Sequence, residues 1–129
     1  MSSKERVLIV DDMPINLDIL EELLFGEYEI FRAESGEEAL AKIEDIQPGL
    51  VLLDVMMPGI DGFETCRRIV SKPELKRTSV VMVSAKCLPE DRQAGLDAGA
   101  VDYVTKPYDI FELKSLVDRL MRQLERLSA

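Results

Sequence analysis

Five short apolar runs alternate along this chain with segments whose apolar residues recur at helical spacing, and this alternation constrains the fold more than any single motif. The runs cover residues 7–10, 28–33, 50–53, 80–83 and 101–104. Short apolar runs rich in β-branched residues are typical of strands buried on both faces of a parallel sheet. Five strands alternating with five helices predict an α/β fold, a doubly wound five-stranded parallel sheet with helices on both faces.

The segments between these runs carry helix start and stop signals. Pro14 suits the first turn of the first helix, and Gly99 is placed as the C-terminal cap of the fourth. Ser35 and Glu38 match the S-x-x-E capping box for the second helix. The apolar residues that recur at helical spacing are Ile15, Leu17, Ile19, Leu20, Leu23 and Leu24 in the first helix, Ala39, Leu40 and Ile43 in the second, Phe63, Cys66, Ile69 and Val70 in the third, and Leu113, Leu116, Val117, Leu120, Leu124 and Leu127 in the last.

Length and composition exclude several classes of protein. The 129 residues predict one domain, 1–129, with a core of about 5–127. A net charge of −9 leaves no basic face for a nucleic-acid backbone, so we expect no nucleic acid to bind this domain. The sequence has no histidine, which excludes a histidine metal site and a Ser-His or Cys-His catalytic pair.

The cysteines and the N-terminus indicate a cytoplasmic protein. Cys66 and Cys87 are far apart and lack CxxC spacing, so we expect two free thiols in or near the core. Residues 1–6 are followed by only a few apolar residues and do not resemble a signal peptide. No apolar run approaches the ~20 residues that a membrane span requires.

Charged residues follow three of the predicted strands. Asp11 and Asp12 come after the first strand, Asp54 after the third and Lys106 after the fifth. Because the carboxyl ends of parallel strands line one crevice, we expect these side chains to converge there. Carboxylates that converge repel one another unless a cation holds them, which suggests a Mg²⁺ site with Lys106 beside it to meet an anion. Taken singly, the aspartate pair also fits a helix N-terminus, and Lys106 a solvated surface lysine.

The chain resembles, over essentially its whole length, the receiver domain of two-component response regulators. The motifs that carry the resemblance are Asp11-Asp12, the stretch 53–62, Ser84-Ala85, Tyr103 and Lys106-Pro107, in this order and each at a predicted strand end. The resemblance implies a flavodoxin-like strand order 2-1-3-4-5. It also implies a signalling switch rather than an enzyme, which takes a phosphoryl group from a phosphohistidine of a sensor histidine kinase or phosphotransfer protein.

The resemblance also implies a role for each matching carboxylate. Asp54 would accept the phosphoryl group as a nucleophile. Asp12 and Asp54 would ligate Mg²⁺ directly, with the backbone carbonyl of Met56 as a third protein ligand. Asp11 would act mostly through a bound water.

The remaining motif residues would bind the phosphoryl group and transmit its presence. Lys106 would add a second positive charge, and Ser84 would donate its hydroxyl beside the backbone N–H of Ala85. In this family the serine or threonine moves inward and an aromatic ring on the fifth strand rotates into the vacated space; Tyr103 is that ring here. The Lys106-Pro107 bond is expected to be cis.

Two further expectations concern the lifetime of the phosphoryl group and the surface through which the domain contacts its partners. Met56 and Lys86 lie two residues past Asp54 and Ser84, where side chains of this family flank the path of the hydrolytic water, so a bulky Met56 predicts a long-lived phosphoryl group. The face formed by the fourth helix, fifth strand and fifth helix is expected to dock an effector or output domain, or to form a homodimer in which Arg92 and Glu112 pair. The chain is either a complete single-domain regulator or an excised receiver.

Three other functions fit parts of the sequence. A Mg²⁺-dependent phosphohydrolase with an aspartyl-phosphate intermediate typically has a second aspartate two residues after the nucleophile, where this chain has Met56. A flavodoxin-like nucleotide or flavin binder places glycines or hydroxyls in the first strand–helix loop, whereas Asp11 and Asp12 would repel a phosphate. A receiver-like adaptor that is never phosphorylated is the main alternative that the sequence leaves open.

Overall fold

The computed structural model describes the backbone of residues 4–128 and the side chains of residues 4–126. Within this range no helix is both long and apolar enough to cross a membrane. The strands are β1 (Arg6–Val10), β2 (Glu29–Ala33), β3 (Leu50–Leu53), β4 (Ser79–Ser84) and β5 (Asp102–Thr105). The helices are α1 (Pro14–Leu24), α2 (Gly36–Ile46), α3 (Gly62–Val70), α4 (Pro89–Asp97) and α5 (Ile110–Ser128), with a short 3₁₀ turn at Pro73–Leu75.

All five strands are parallel and lie in the order β2-β1-β3-β4-β5, which confirms the expected topology. The register pairs Val10, the last residue of β1, with Ala33 on β2 and with Leu53 on β3. At the other side, Ser84 pairs with Thr105. The strands therefore end at one common edge, and the residues that follow them start from neighbouring positions.

The sheet is covered on both faces, and each face has its own hydrophobic core. Because successive side chains of a strand point to opposite faces, alternate residues of β1 and β3 enter different cores. One core contains Leu8, Val10, Val51 and Leu53 with Ala39, Ile43, Cys66 and Ile69 of α2 and α3. The other contains Val7, Ile9, Leu50 and Leu52 with Leu17, Leu20, Leu113 and Val117 of α1 and α5.

Two residues of the first helical repeat do not face the core. Leu17, Leu20 and Leu24 are buried, but Ile15 is 59% exposed and Ile19 is 45% exposed. A helix that packs on a sheet buries a single stripe of residues three or four apart, and Ile15 and Ile19 lie beside this stripe. They give α1 an exposed apolar strip next to the common edge of the sheet.

Other expected core positions are also at the surface. Val70, at the end of α3, is 43% exposed, and Val101 is 50% exposed because β5 begins one residue later. Of the free thiols, Cys66 is buried but Cys87 is exposed in the loop before α4. In α5, Met121 is buried although it was not expected in the stripe, and the side chain of Leu127 lies outside the described residues.

Candidate functional site

The site is assembled at the common edge of the sheet by hydrogen bonds that continue the strand ladder. The N–H of Asp54 donates to the carbonyl of Val10 at 3.0 Å, which seats Asp54 directly beside the end of β1. The N–H of Lys106 donates to the carbonyl of Ser84 at 2.8 Å. Backbone pairing thus places the residues predicted at the strand ends next to one another.

The carboxylates of Asp11, Asp12 and Asp54 form one cluster. One oxygen from each lies within 4.8 Å of the others; Asp11 and Asp54 are buried, and Asp12 is half-buried. Besides Lys106, Asp11 accepts from the N–H of Met13 at 2.9 Å and from the side-chain amide of Asn16 at 3.2 Å. Asn16 was not singled out from the sequence, although its position in the first turn of α1 places it beside the end of β1.

Lys106 is the cation of this cluster. Its ammonium nitrogen Nζ lies 2.8 Å from Asp11 Oδ2 and 3.5 Å from Asp54 Oδ2. Burial by itself would lower the pKa of Lys106, but the hydrogen bond to Asp11 and the charges of Asp54 and Asp11 together raise the pKa above its usual value. For Asp54, burial raises the pKa; the charge of Lys106 opposes this shift, and the charge of Asp11 adds to it.

The charges of the cluster fit a hard divalent cation. Three carboxylates face one ammonium group, which leaves excess negative charge in a partly buried pocket. Carboxylate oxygens are the ligands that Mg²⁺ prefers, and Mg²⁺ usually keeps several waters rather than a complete protein cage. The half-exposed position of Asp12 leaves the cluster open to solvent for such waters.

The loop between β3 and α3 packs directly on the backbone of Asp54. The N–H of Gly62 donates to the carbonyl of Val55 at 2.8 Å, and a Cβ at position 62 would collide with the carbonyl oxygen of Asp54. Asp54 Oδ1 in turn accepts from the N–H of Met56 at 3.2 Å. Only glycine allows this close approach. In the sequence, Gly62 is simply one of several turn residues in this loop, and this packing requirement cannot be seen there.

Glu37, at the start of α2, holds the same loop from outside. Its Oε2 accepts from the N–H of Ile60 at 3.0 Å, and this bond lowers the pKa of the Glu37 carboxyl. Nothing in the sequence pointed to Glu37, because the two residues meet only when α2 and the loop after β3 are packed together.

Met56 and Lys86 lie close together beside the carboxylate cluster. The Met56 side chain is 55% exposed, and both residues line one open cleft with Pro58 and Asp61. Met13 is likewise exposed, by 51%, whereas Met57 and Met82 are buried in the core.

A hydrogen-bond chain leads from Ser84 to Tyr103. The buried hydroxyl of Ser84 accepts from the N–H of Lys86 at 3.3 Å, and the hydroxyl of Tyr103 donates to the carbonyl of Lys86 at 2.7 Å. Tyr103 is only 3% exposed, so it is buried more deeply than a tyrosine on a strand usually is. Ala85, between Ser84 and Lys86, is exposed with its small side chain at the edge of the pocket.

The remaining predicted residues lie at the end of the sheet near α4 and α5. Arg92 donates to the carbonyl of Tyr103 at 3.1 Å and pairs with Asp102 at 3.5 Å. Leu116 is 8% exposed and belongs to the core between α5 and the sheet. The Lys106-Pro107 peptide bond is cis, as expected.

Comparison with known proteins places the chain in one family. A family model described as "Response regulator receiver domain" matches residues 7–118. The response regulator PleD of Caulobacter vibrioides is 42% identical over 118 residues, which are 91% of this chain but only 26% of PleD. A putative response regulator structure from Chloroflexus aurantiacus is 38% identical with a TM-score of 0.87, covering 93% of this chain and 99% of that one.

A structure described as the BeF3 activated DrrB receiver domain is also similar. It is 30% identical with a TM-score of 0.86 and covers 93% of this chain and 99% of that one. The match to the family model and the similarity to these relatives extend over nearly all of the described residues, including every strand end that contributes to the carboxylate cluster. The chain therefore belongs to the response regulator receiver domain family.

Proposed function

We propose that this domain accepts a phosphoryl group on Asp54 from a phosphohistidine and switches conformation to control an output domain or a partner. The donor is a sensor histidine kinase or a phosphotransfer protein, and the working compartment is the cytoplasm. The observation that carries the proposal is the position of the Asp54 carboxylate, buried in a cluster of three carboxylates and 3.5 Å from the Lys106 ammonium. We propose that the domain acts as a switch and catalyses only its own phosphorylation and slow dephosphorylation.

The chemistry is an in-line transfer between two nucleophiles. A carboxylate oxygen of Asp54 attacks the phosphorus, the bond from phosphorus to the histidine nitrogen breaks, and that nitrogen keeps the electron pair. Catalysis of such a transfer consists mainly of positioning and charge neutralisation. Before reaction, Asp54 Oδ1 is held by the N–H of Met56 at 3.2 Å and Oδ2 faces Lys106, so the nucleophile is oriented in advance.

The remaining groups stabilise charge on the phosphoryl oxygens. Asp12 and Asp54, the Met56 carbonyl and, through water, Asp11 would hold Mg²⁺, whose bound charge offsets the repulsion between a carboxylate nucleophile and a phosphoryl group. Lys106, which follows β5, would supply the second positive charge. Ser84 and the N–H of Ala85 would donate hydrogen bonds to the phosphoryl oxygens.

The switch connects this pocket to the face formed by α4, β5 and α5. Movement of the Ser84 hydroxyl toward a phosphoryl oxygen would change its bond with the N–H of Lys86, and Lys86 is also the acceptor for Tyr103. A local charge change then biases a two-state element. An effector or output domain would detect the change on this face.

A homodimer through the same face is a second proposal about partners. Arg92 already pairs with Asp102 and with the carbonyl of Tyr103 within one molecule. It would have to leave these groups to pair with Glu112 across a dimer. Leu116, on α5, is buried in the core and offers no charge to such an interface.

Intact-mass spectrometry after incubation with acetyl phosphate tests the proposal. Wild type with Mg²⁺ should gain one phosphoryl group, whereas wild type without Mg²⁺ and Asp54→Asn with Mg²⁺ should gain none. If wild type stays unmodified under conditions that label a control receiver, the domain is a phosphorylation-independent adaptor. A label that persists in Asp54→Asn would assign the acceptor to another residue.

A further inference from the structure

Gly95 is an unusual residue for its position in α4. The helix runs from Pro89 to Asp97, all of it described, and Gly95 is the one buried residue in it. Glycine in a helix interior is less favourable than alanine because it loses more backbone freedom on folding. The backbone does not require glycine here, since Gly95 is not among the glycines with positive φ, unlike Gly99 with φ +111°.

The reason for glycine lies across the interface with β5. A Cβ at position 95 would lie 2.8 Å from Cδ2 and 3.2 Å from Cε2 of the Tyr103 ring, and 3.3 Å from Cγ of Met82. The nearest atoms are therefore those of Tyr103 and not backbone. Atoms this close must move apart, because interiors are packed to near van der Waals contact.

The Tyr103 ring cannot move aside without losing the contacts that hold it. The aromatic ring is rigid, its backbone is fixed in β5 by pairing with Met82, and its hydroxyl is bonded to the carbonyl of Lys86 at 2.7 Å. A side chain at position 95 would therefore displace the ring outward or push α4 away from the sheet. Displacement of the ring breaks its bond to the carbonyl of Lys86, the last link from Ser84 through Lys86 to Tyr103.

We propose that Gly95 is a positioning residue whose missing side chain makes room for the buried Tyr103 ring, so that the size of residue 95 sets how readily Tyr103 occupies this place. The inference rests on the proposed function to the extent that the buried ring is the state favoured by a phosphoryl group on Asp54. It assigns to α4 a direct steric part in the switch, beyond forming a docking surface.

Fluorine NMR of protein labelled with 3-fluorotyrosine tests the resting position of the ring. The chain has three tyrosines, so Tyr103 is assigned by Tyr103→Phe, and Tyr28 and Tyr108 serve as internal references. In Gly95→Ala without any phosphoryl donor, the Tyr103 resonance should move toward the solvent-exposed position. The matched control is Gln93→Ala, an exposed site on the same helix, which should leave it in place. An unmoved Tyr103 resonance in Gly95→Ala would overturn the proposal.

A double-mutant cycle separates this steric role from a general effect on the helix. Binding of beryllofluoride with Mg²⁺, a stand-in for the phosphoryl group, should weaken about fivefold or more in Gly95→Ala. In a Tyr103→Ala background the same change should alter binding by less than about twofold, because the ring is gone. Equal effects in both backgrounds would refute the assignment.

Two other outcomes are also decisive. If Gly95→Ala alone fails to fold while the double variant Gly95→Ala/Tyr103→Ala folds as well as Tyr103→Ala, this result supports the collision with the ring. If Tyr103→Ala folds but neither Gly95→Ala nor the double variant does, the collision is refuted. If wild type binds no beryllofluoride and accepts no phosphoryl group, the proposed function fails. The resting-state spectra still decide the role of Gly95 in that case, so the two failures are distinguishable.

Discussion

The ammonium nitrogen of Lys106 lies 2.8 Å from Asp11 Oδ2, closer than the 3.5 Å that separates it from Asp54 Oδ2. Its nearer partner is therefore Asp11 and not Asp54, the residue that we propose as the phosphoryl acceptor. The lysine thus offsets the charge of both buried aspartates while staying within reach of the position where a phosphoryl group would be attached. This shared position leads us to expect that Lys106 stabilises the fold, in addition to the chemical role that we propose for it.

Replacing Lys106 with methionine should destabilise the protein because two buried carboxylates lose their cation. The expected loss in the free energy of unfolding is about 1–3 kcal/mol, below that of a fully buried pair since the lysine side chain is 20% exposed. Urea denaturation with and without Mg²⁺ measures it, and Mg²⁺ should recover more stability in Lys106→Met than in wild type. Lys106→Arg is the control that keeps the charge. Equal recovery by Mg²⁺ in wild type and Lys106→Met would contradict the electrostatic explanation.

Asp54 should make the metal-free protein less stable as the pH rises. Burial and the charge of Asp11 raise the pKa of Asp54 in the folded state despite Lys106. The folded state therefore holds the proton more tightly than the unfolded chain, and stability falls as the pH rises from the unfolded pKa of about 3.9 through the folded pKa. Without Mg²⁺, Asp54→Asn should be more stable than wild type at pH 7, by on the order of 1 kcal/mol.

Urea midpoints across pH 4 to 8 check this relation. The advantage of Asp54→Asn should shrink toward the acid end, and Mg²⁺ at neutral pH should reverse it because only wild type retains the third carboxylate. A wild type that gains stability from Asp54 as the pH rises would show that Lys106 outweighs burial.

Met56→Asn should shorten the lifetime of the phosphoryl group. The Met56 side chain is 55% exposed beside the cleft shared with Lys86, where a bulky apolar group would obstruct an attacking water. We expect loss of phosphate to accelerate severalfold, measured by intact mass after removal of acetyl phosphate. Phe25→Asn, exposed by 80% beyond the end of α1, is the control and should keep the wild-type rate. Phosphate loss no faster than wild type in Met56→Asn would reject the obstruction.

Gly62→Ala should destabilise the protein by about 2–4 kcal/mol, because the added Cβ collides with the backbone carbonyl of Asp54. Gly26→Ala is an informative comparison, since Gly26 has φ +90° and open space around it. Its cost is backbone strain alone, about 1 kcal/mol. Urea denaturation compares the two, and equal losses would mean that the collision at position 62 is relieved by movement of the loop.

Local sequence signals predicted the fold well. Each apolar run became a strand, with ends shifted by at most one residue, and the capping serine Ser35 accepts from the N–H of Glu38 at 3.0 Å. The side of each helix that packs inward was less predictable. Ile15 and Ile19 are as apolar as Leu17 and Leu20, and only the angle at which α1 lies on the sheet decides which pair is buried.

The sequence by itself determined the alternation of elements, the parallel sheet and the placement of Asp11, Asp12, Asp54, Ser84 and Lys106 at strand ends, because periodicity, caps and strand ends are properties of short segments. Only the tertiary structure decided that Asn16 and Lys106 share Asp11, that Glu37 holds the loop at Ile60, and that Gly95 faces the Tyr103 ring. These relationships depend on the distances between elements that pack together, and no local pattern encodes those distances.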